Sequence, residues 1–331
     1  MRALLALVAL LATTGRVSAA LMIYDGFDYA VGENLNGQIN PAINSPWLRS
    51  GSSPAGTSQT IAASSVAYPG LKGAVGNSVS TPRLAAASNS ANRITLPSAP
   101  HVRADEGSFF FSFTFRLLEW DAITDTLAKN ATHRKGGLVA GFHGGVADTA
   151  TGMGSGGAFA GSVWVRRAID YSQTGTDGTP GTQNNQYEVG ILKTILNPTA
   201  AELETAFDTS QTFAIGETIF VVAEYRFVND GTTTSDVARL WLNPTPGGVA
   251  GAPSAVAPAS MAGITTPINS FYIYSHTNSP GDSLVDEIRV GTTFASVTPI
   301  PEPACVWLVA SAAGAILVGG RRLRTRSFVG L

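Results

Sequence analysis

Along residues 108–117 the chain alternates strictly, with Phe109, Phe111, Phe113, Phe115 and Leu117 on one side. Ser108, Ser112, Thr114 and Arg116 occupy the other side, and Phe110 is the single break. A period of two marks a strand with one buried face, so 108–117 is predicted as a strand. Residues 219–228 repeat the pattern, with Ile219, Val221, Ala223, Tyr225 and Phe227 opposite Glu224 and Arg226. Asn229-Asp230-Gly231 supplies a turn, and 237–242 reads as the return strand, stopped at Asn243-Pro244. Further strands are expected at 162–169, 187–196, 271–275 and 284–290. One helix is expected over 200–207, where Thr199 and Glu202 make a capping box.

The segments between these elements are long and rich in Gly, Ser, Thr, Asn and Pro: 51–65, 136–161, 171–185 and 244–267. Such stretches read as loops that bind or decorate. There is no internal repeat and no linker long enough to force a second domain. Many short strands with turn signals between them predict an all-β, two-sheet antiparallel sandwich.

Composition narrows the class. Charged residues make up 13% of 331, about half the usual share, while Gly (36) and Pro (18) are abundant. One cysteine, Cys305, rules out an intrachain disulfide. Six arginines (Arg2, Arg16, Arg321, Arg322, Arg324, Arg326) lie in the two terminal segments, which leaves the stretch between them net acidic. No nucleic-acid partner is expected there, because phosphate binding needs clustered Lys and Arg.

The ends carry their own pattern. Residues 1–20 begin with Arg2, continue with the apolar run 3–12 and finish on Val17-Ser18-Ala19-Ala20. This is the three-part form of a secretory signal peptide, implying passage through the Sec translocon. At the other end Pro301-Glu302-Pro303 precedes 304–320, seventeen uncharged residues, and then Arg321, Arg322, Arg324 and Arg326. Seventeen residues are near the minimum for a membrane-spanning helix, and the arginines would stay on its cytoplasmic side.

Pro-Glu-Pro, a short apolar helix and a terminal arginine cluster together resemble the PEP-CTERM sorting signal of exported Gram-negative proteins. The resemblance implies an exosortase that cuts near the Pro-Glu-Pro, with the protein anchored in the inner membrane in transit and then delivered to the cell surface or extracellular matrix. A second resemblance rests on Tyr24-Asp25-Gly26-Phe27-Asp28-Tyr29 with Gly32, Leu35, Gly37 and Trp47, and on Val285-Asp286-Glu287-Ile288-Arg289-Val290-Gly291 with Phe294. These look like the opening and closing strands of concanavalin A-like lectin/glucanase (LamG-type) jelly rolls, in which the two strands pair. The implied layout is a signal peptide at 1–20, the sandwich at 21–297 and the sorting segment at 298–331.

Chemistry is thinly signalled. Laminarinase-type hydrolases of that superfamily carry Glu-x-Asp-x-x-Glu; here Glu119 and Asp121 are followed by Thr124, and a hydroxyl cannot replace the second acid. The four histidines (His101, His133, His143, His276) stand in no metal-binding frame and read as surface residues. Asp177, with Asn184 and Asn185, would suit a calcium ion in a loop, though no EF-hand spacing exists. Trp164, Tyr171, Gln183, Asn184, Asn185 and Tyr187 cluster around one loop and combine aromatic platforms with amides, the mixture that holds sugars. The expectation is a non-catalytic exported protein for adhesion or matrix organisation, touching extracellular polysaccharide. The alternatives are a secreted glycan-active hydrolase with a noncanonical site and a purely structural surface protein.

Overall fold

The computed structural model describes residues 21–50, 59–71, 76–84, 89–119, 136–145, 158–174, 180–194, 199–276 and 281–299. The signal-peptide segment and everything beyond Pro299, including Pro301, Glu302, Pro303 and the terminal arginines, lie outside the described residues. Among the described residues no helix is long and apolar enough to cross a membrane.

With strands numbered in chain order, the first sheet runs β15 (Ala255–Val256), β14 (Val237–Leu242), β13 (Thr218–Arg226), β8 (Ser108–Leu117), β17 (Ser283–Gly291), β6 (Ser78–Thr81), β5 (Thr60–Ala62). β1 (Leu21–Asp25) shares with β6 the edge of β17 that β8 leaves free. The second sheet runs β12 (Phe213–Ala214), β11 (Pro180–Leu192), β10 (Phe159–Thr174), β9 (Gly137–His143), β16 (Ser270–His276), β7 (Asn89–Thr95), β4 (Leu48–Ser50). A small ribbon joins β2 (Ile39–Asn40) to β3 (Ser45–Pro46). All these pairings are antiparallel, so the described residues form a two-sheet antiparallel jelly-roll sandwich. The first and last strands pair, Tyr24 opposite Arg289 and Asp25 opposite Ile288.

The alternation along β8 explains the core. Phe111, Phe113, Phe115 and Leu117 are at most 1% exposed, and Phe111 meets Phe142 (5.1 Å) and Phe271 (5.3 Å) of the opposite sheet. Each buried phenyl ring contributes about 2 kcal/mol by removal from water. Phe110, the break in the pattern, points the other way and packs under α2 (Phe294–Val297), 6.2 Å from Trp241 and 6.3 Å from Phe294. The capping box forms on α1 (Ala200–Ala206), where Glu202 N donates to Thr199 Oγ1 and Thr199 N donates to Glu202 Oε2.

Parts of two predicted loops are strands: β9 takes up 137–143 of the glycine-rich stretch 136–161, and within 171–185 residues 171–174 and 180–185 lie on β10 and β11. Hydrogen bonds from long neighbours complete both ladders, and that support leaves no periodic trace in the segments themselves.

Candidate functional site

The same alternation that sends Ile94, Phe142, Val163, Val165, Val189, Ile191, Phe271 and Ile273 into the core sends their neighbours to the outer side of the second sheet. These are Arg93 on β7, Tyr272 and Tyr274 on β16, His143 on β9, Trp164 and Arg166 on β10, and Glu188 on β11. The outer face of an antiparallel sheet commonly meets water and carries ordinary polar side chains. Here Arg93, Arg166 and Tyr272 have no exposure, Glu188 has 1%, His143 3% and Tyr274 7%.

Aromatic edges and faces fill the middle of this layer. Phe159 stands at near right angles to His143 (4.9 Å), Tyr272 (5.2 Å) and Tyr274 (6.2 Å). Arg93 donates through Nε to Ser50 Oγ (2.8 Å) and through Nη1 to His143 Nδ1 (3.0 Å), which also accepts from Gly145 N (2.8 Å). A guanidinium only donates, so Nδ1 carries the lone pair and the imidazole is the neutral form with its proton on Nε2. The Tyr272 hydroxyl bonds Ser162 Oγ at 2.9 Å. Burial raises Tyr272 well above the ordinary phenol range and pushes Tyr274 up to about 12, so both remain protonated.

The other half of the face is ionic. Arg166 Nε donates to Glu188 Oε2 at 2.9 Å, and Arg166 Nη1 lies 3.7 Å from Glu204 Oε1, whose side chain is 42% exposed. The Phe207 ring covers the guanidinium at 4.0 Å. Only glycine fits at 190, because a Cβ there would stand 2.7 Å from Ala206 O and from the Phe207 ring; this close approach seats the end of α1 on the sheet. Leu203, Ala206, Phe207, Leu192 and Met261 form a small cluster against which half-buried Trp164 packs.

Three donor atoms in this corner, Trp164 Nε1 and Arg166 Nη1 and Nη2, are buried without a hydrogen-bond acceptor. Each such group costs about 1–3 kcal/mol.

The residues singled out from sequence separate. Trp164 is on the outer face. Tyr187 is on the inner face, fully buried between Phe115 (5.9 Å) and Phe213 (5.6 Å), so its ring offers no sugar platform. Tyr171, Gln183, Asn184 and Asn185 lie on β10 and β11, with side chains outside the described set; Asp177 lies outside it altogether. Among the described residues no group of three or more His, Cys, Asp or Glu could hold a metal ion. Glu119 is exposed just past β8, while Asp121 and Thr124 lie outside the described residues. His143, read as a surface residue, is instead buried against Phe159. The residues missed were Arg93, Arg166, Glu188, Tyr272 and Tyr274. For the last two the alternation of 271–275 carried the signal, since it sets both tyrosines opposite Phe271 and Ile273.

No family model and no curated protein sequence matches the chain. Solved structures do. A double mutant of the alginate lyase Aly36B in complex with alginate trisaccharide is 15% identical, covering 82% of this chain and 98% of its own, with a TM-score of 0.44. Domain 4 of AbnA, a GH43 extracellular arabinanase from Geobacillus stearothermophilus bound to arabinotriose, is 12% identical over 84% and 97%, with a TM-score of 0.37. Peanut lectin is 14% identical over 82% and 97%, with a TM-score of 0.34. At such identities the likeness concerns the fold alone. The expectation of a non-catalytic protein is corrected: the similar structures include an alginate lyase and a GH43 glycoside hydrolase.

Proposed function

We propose that the protein is an exported, glycan-active sandwich whose polysaccharide contacts the outer face of the second sheet around Trp164 and Arg166. The observation that carries this reading is the half-buried Trp164 indole on the outer face, next to the Arg166–Glu188–Glu204 ionic group of which Glu204 reaches solvent. The indole covers the apolar face of a pyranose ring. Glycoside hydrolysis runs on two carboxyl groups flanking the scissile bond. Glu188 and Glu204 flank Arg166, with Glu204 the exposed member, and we assign the acid–base work to this pair.

The test is cleavage of a panel of neutral and uronic polysaccharides by the mature protein and by Glu204→Gln. Loss of about a hundredfold or more in rate is expected for the variant. Unchanged cleavage would remove Glu204 from the chemistry, and absence of both binding and cleavage across the panel would overturn the reading.

Export belongs to the same proposal: 1–20 as the signal peptide and 298–331 as a sorting tail processed by an exosortase on the way to the surface or matrix. Its support is the order and spacing of Pro301-Glu302-Pro303, the apolar run and the arginines. Intact mass and fractionation of the native protein test it, and a full-length cytosolic chain would contradict it.

A further inference from the structure

A cleft at the start of the sandwich has the opposite chemistry. Beyond β1 the chain turns sharply through Gly26, Phe27 and Asp28. Phe27 has φ 53°, a left-handed conformation that is costly for a bulky side chain. Gly76 backs onto this turn so closely that a Cβ would stand 2.3 Å from Gly26 O. Phe27 is held by burial of its ring, 6.2 Å from Trp47. Asp25, 3% exposed, ties the region together by accepting from Phe27 N (2.9 Å), Tyr29 Oη (2.8 Å), Asn40 Nδ2 (2.9 Å) and Trp47 Nε1 (2.8 Å). The half-open cleft measures about 590 Å³ and is walled by Tyr24, Tyr29, Ile39 and Pro41 with Asp28 exposed among them. That volume suits a small-molecule or sugar subsite.

The polar groups here are already spent as donors. Tyr29 Oη donates to Asp25 Oδ2, and Tyr24 Oη donates to Glu287 Oε1 at 3.2 Å. Asn40 Nδ2 is divided between Asp25 and Tyr24 O. Burial and the adjacent carboxylates push Tyr24 up to about 12 and raise Tyr29 as well, which keeps both protons in place. What Tyr24 still presents is its hydroxyl lone pairs, and Asp28 presents a carboxylate, while the Tyr29 oxygen already takes a bond from Trp47. Arg289 lies over the Tyr24 ring (4.8 Å) and is paired with Glu287, so the charge remaining at the cleft is that of Asp25 and Asp28.

We propose that this cleft binds a protonated amino sugar, with its ammonium toward Asp28 and the apolar face of its ring against Tyr24 and Tyr29. The site shares no residue with the outer face of the second sheet and prefers the opposite ligand. The sugar's hydroxyl and ammonium groups donate to the Tyr24 hydroxyl and the Asp28 carboxylate, and the rings add cation–π attraction. A uronate, which brings only further acceptors and negative charge, is excluded.

The test is calorimetric titration of the mature protein with a glucosamine oligomer, its N-acetylated counterpart and an oligouronate, repeated with Asp28→Asn and Tyr24→Phe. The glucosamine oligomer is expected to bind about tenfold tighter than the N-acetylated one, and Asp28→Asn to remove that preference while the unfolding midpoint stays put. Tyr24→Phe, which keeps the ring, should retain most of the affinity. Equal affinity for the N-acetylated oligomer or the uronate, insensitivity to Asp28→Asn, or no binding at all would each overturn the proposal. The polysaccharide-cleavage experiment on Glu204 is independent of every one of these outcomes.

Discussion

The outer face of the second sheet and the cleft beside β1 are built from similar materials and left open in opposite senses. Both place aromatic rings beside buried charge. On the sheet, Trp164 Nε1 and two nitrogens of Arg166 are donors with no acceptor. In the cleft, Tyr24 and Tyr29 donate to Glu287 and Asp25, and the Asp28 carboxylate stays exposed. On the proposed reading, the preference of each region follows from which half of a hydrogen bond the fold leaves unmade, more than from which residue types it gathers.

The largest effects come from breaking what each region has completed. Arg166→Met should cost about 4 kcal/mol in urea unfolding, because it strands the Glu188 carboxylate in the interior; adding Glu188→Leu should recover most of that. Asp25→Ala should cost about 3 kcal/mol, since four donors lose one acceptor, whereas exposed Asp28→Asn should change stability by less than about 0.5 kcal/mol. If Asp25→Ala is as mild as Asp28→Asn, the tie that shapes the cleft is not there.

A subtler effect is one of pH. Asp286, behind the cleft, accepts from Ser65 Oγ (2.6 Å), Val66 N (2.8 Å) and Glu287 N (2.7 Å), yet burial outweighs them and lifts it from 3.8 to about 7. The folded chain thus holds this proton more tightly than the unfolded chain. Its contribution to stability is full below pH 3.8 and is lost as pH rises toward about 7. Asp286→Asn should flatten that decline in a series of thermal melts, and an unchanged slope would assign the decline elsewhere. Another small change in stability belongs to Trp164→Phe, which deletes an unsatisfied donor: within about 1 kcal/mol, on the stabilising side, while affinity for a glycan falls about tenfold.

Much of the sandwich could be read from the chain because β8, β13 and β14 each carry their own period and stop signals. The helix cap at Thr199 and Glu202 was equally local. β9 was hidden because its glycines have no side chains to alternate, and the far ends of β10 and β11 because the sequence there, Ser172-Gln173-Thr174 and Gly181-Thr182-Gln183-Asn184-Asn185, carries no apolar alternation. Parity would have placed Tyr187 correctly, since it falls in step with Val189 and Ile191, both of the core. Proximity to a loop suggested a binding role that its strand face forbids. Arg93 and His143 meet only through the β7–β16–β9 pairing, a contact across fifty positions that no local pattern encodes.

The most direct test is titration of an oligouronate and a glucosamine oligomer into the same protein, each alone and in the presence of the other, with Trp164→Phe and Asp28→Asn alongside. Independent binding is predicted, with Trp164→Phe weakening only the uronate and Asp28→Asn only the glucosamine oligomer. Mutual displacement, or one substitution weakening both ligands equally, would contradict the two-region account.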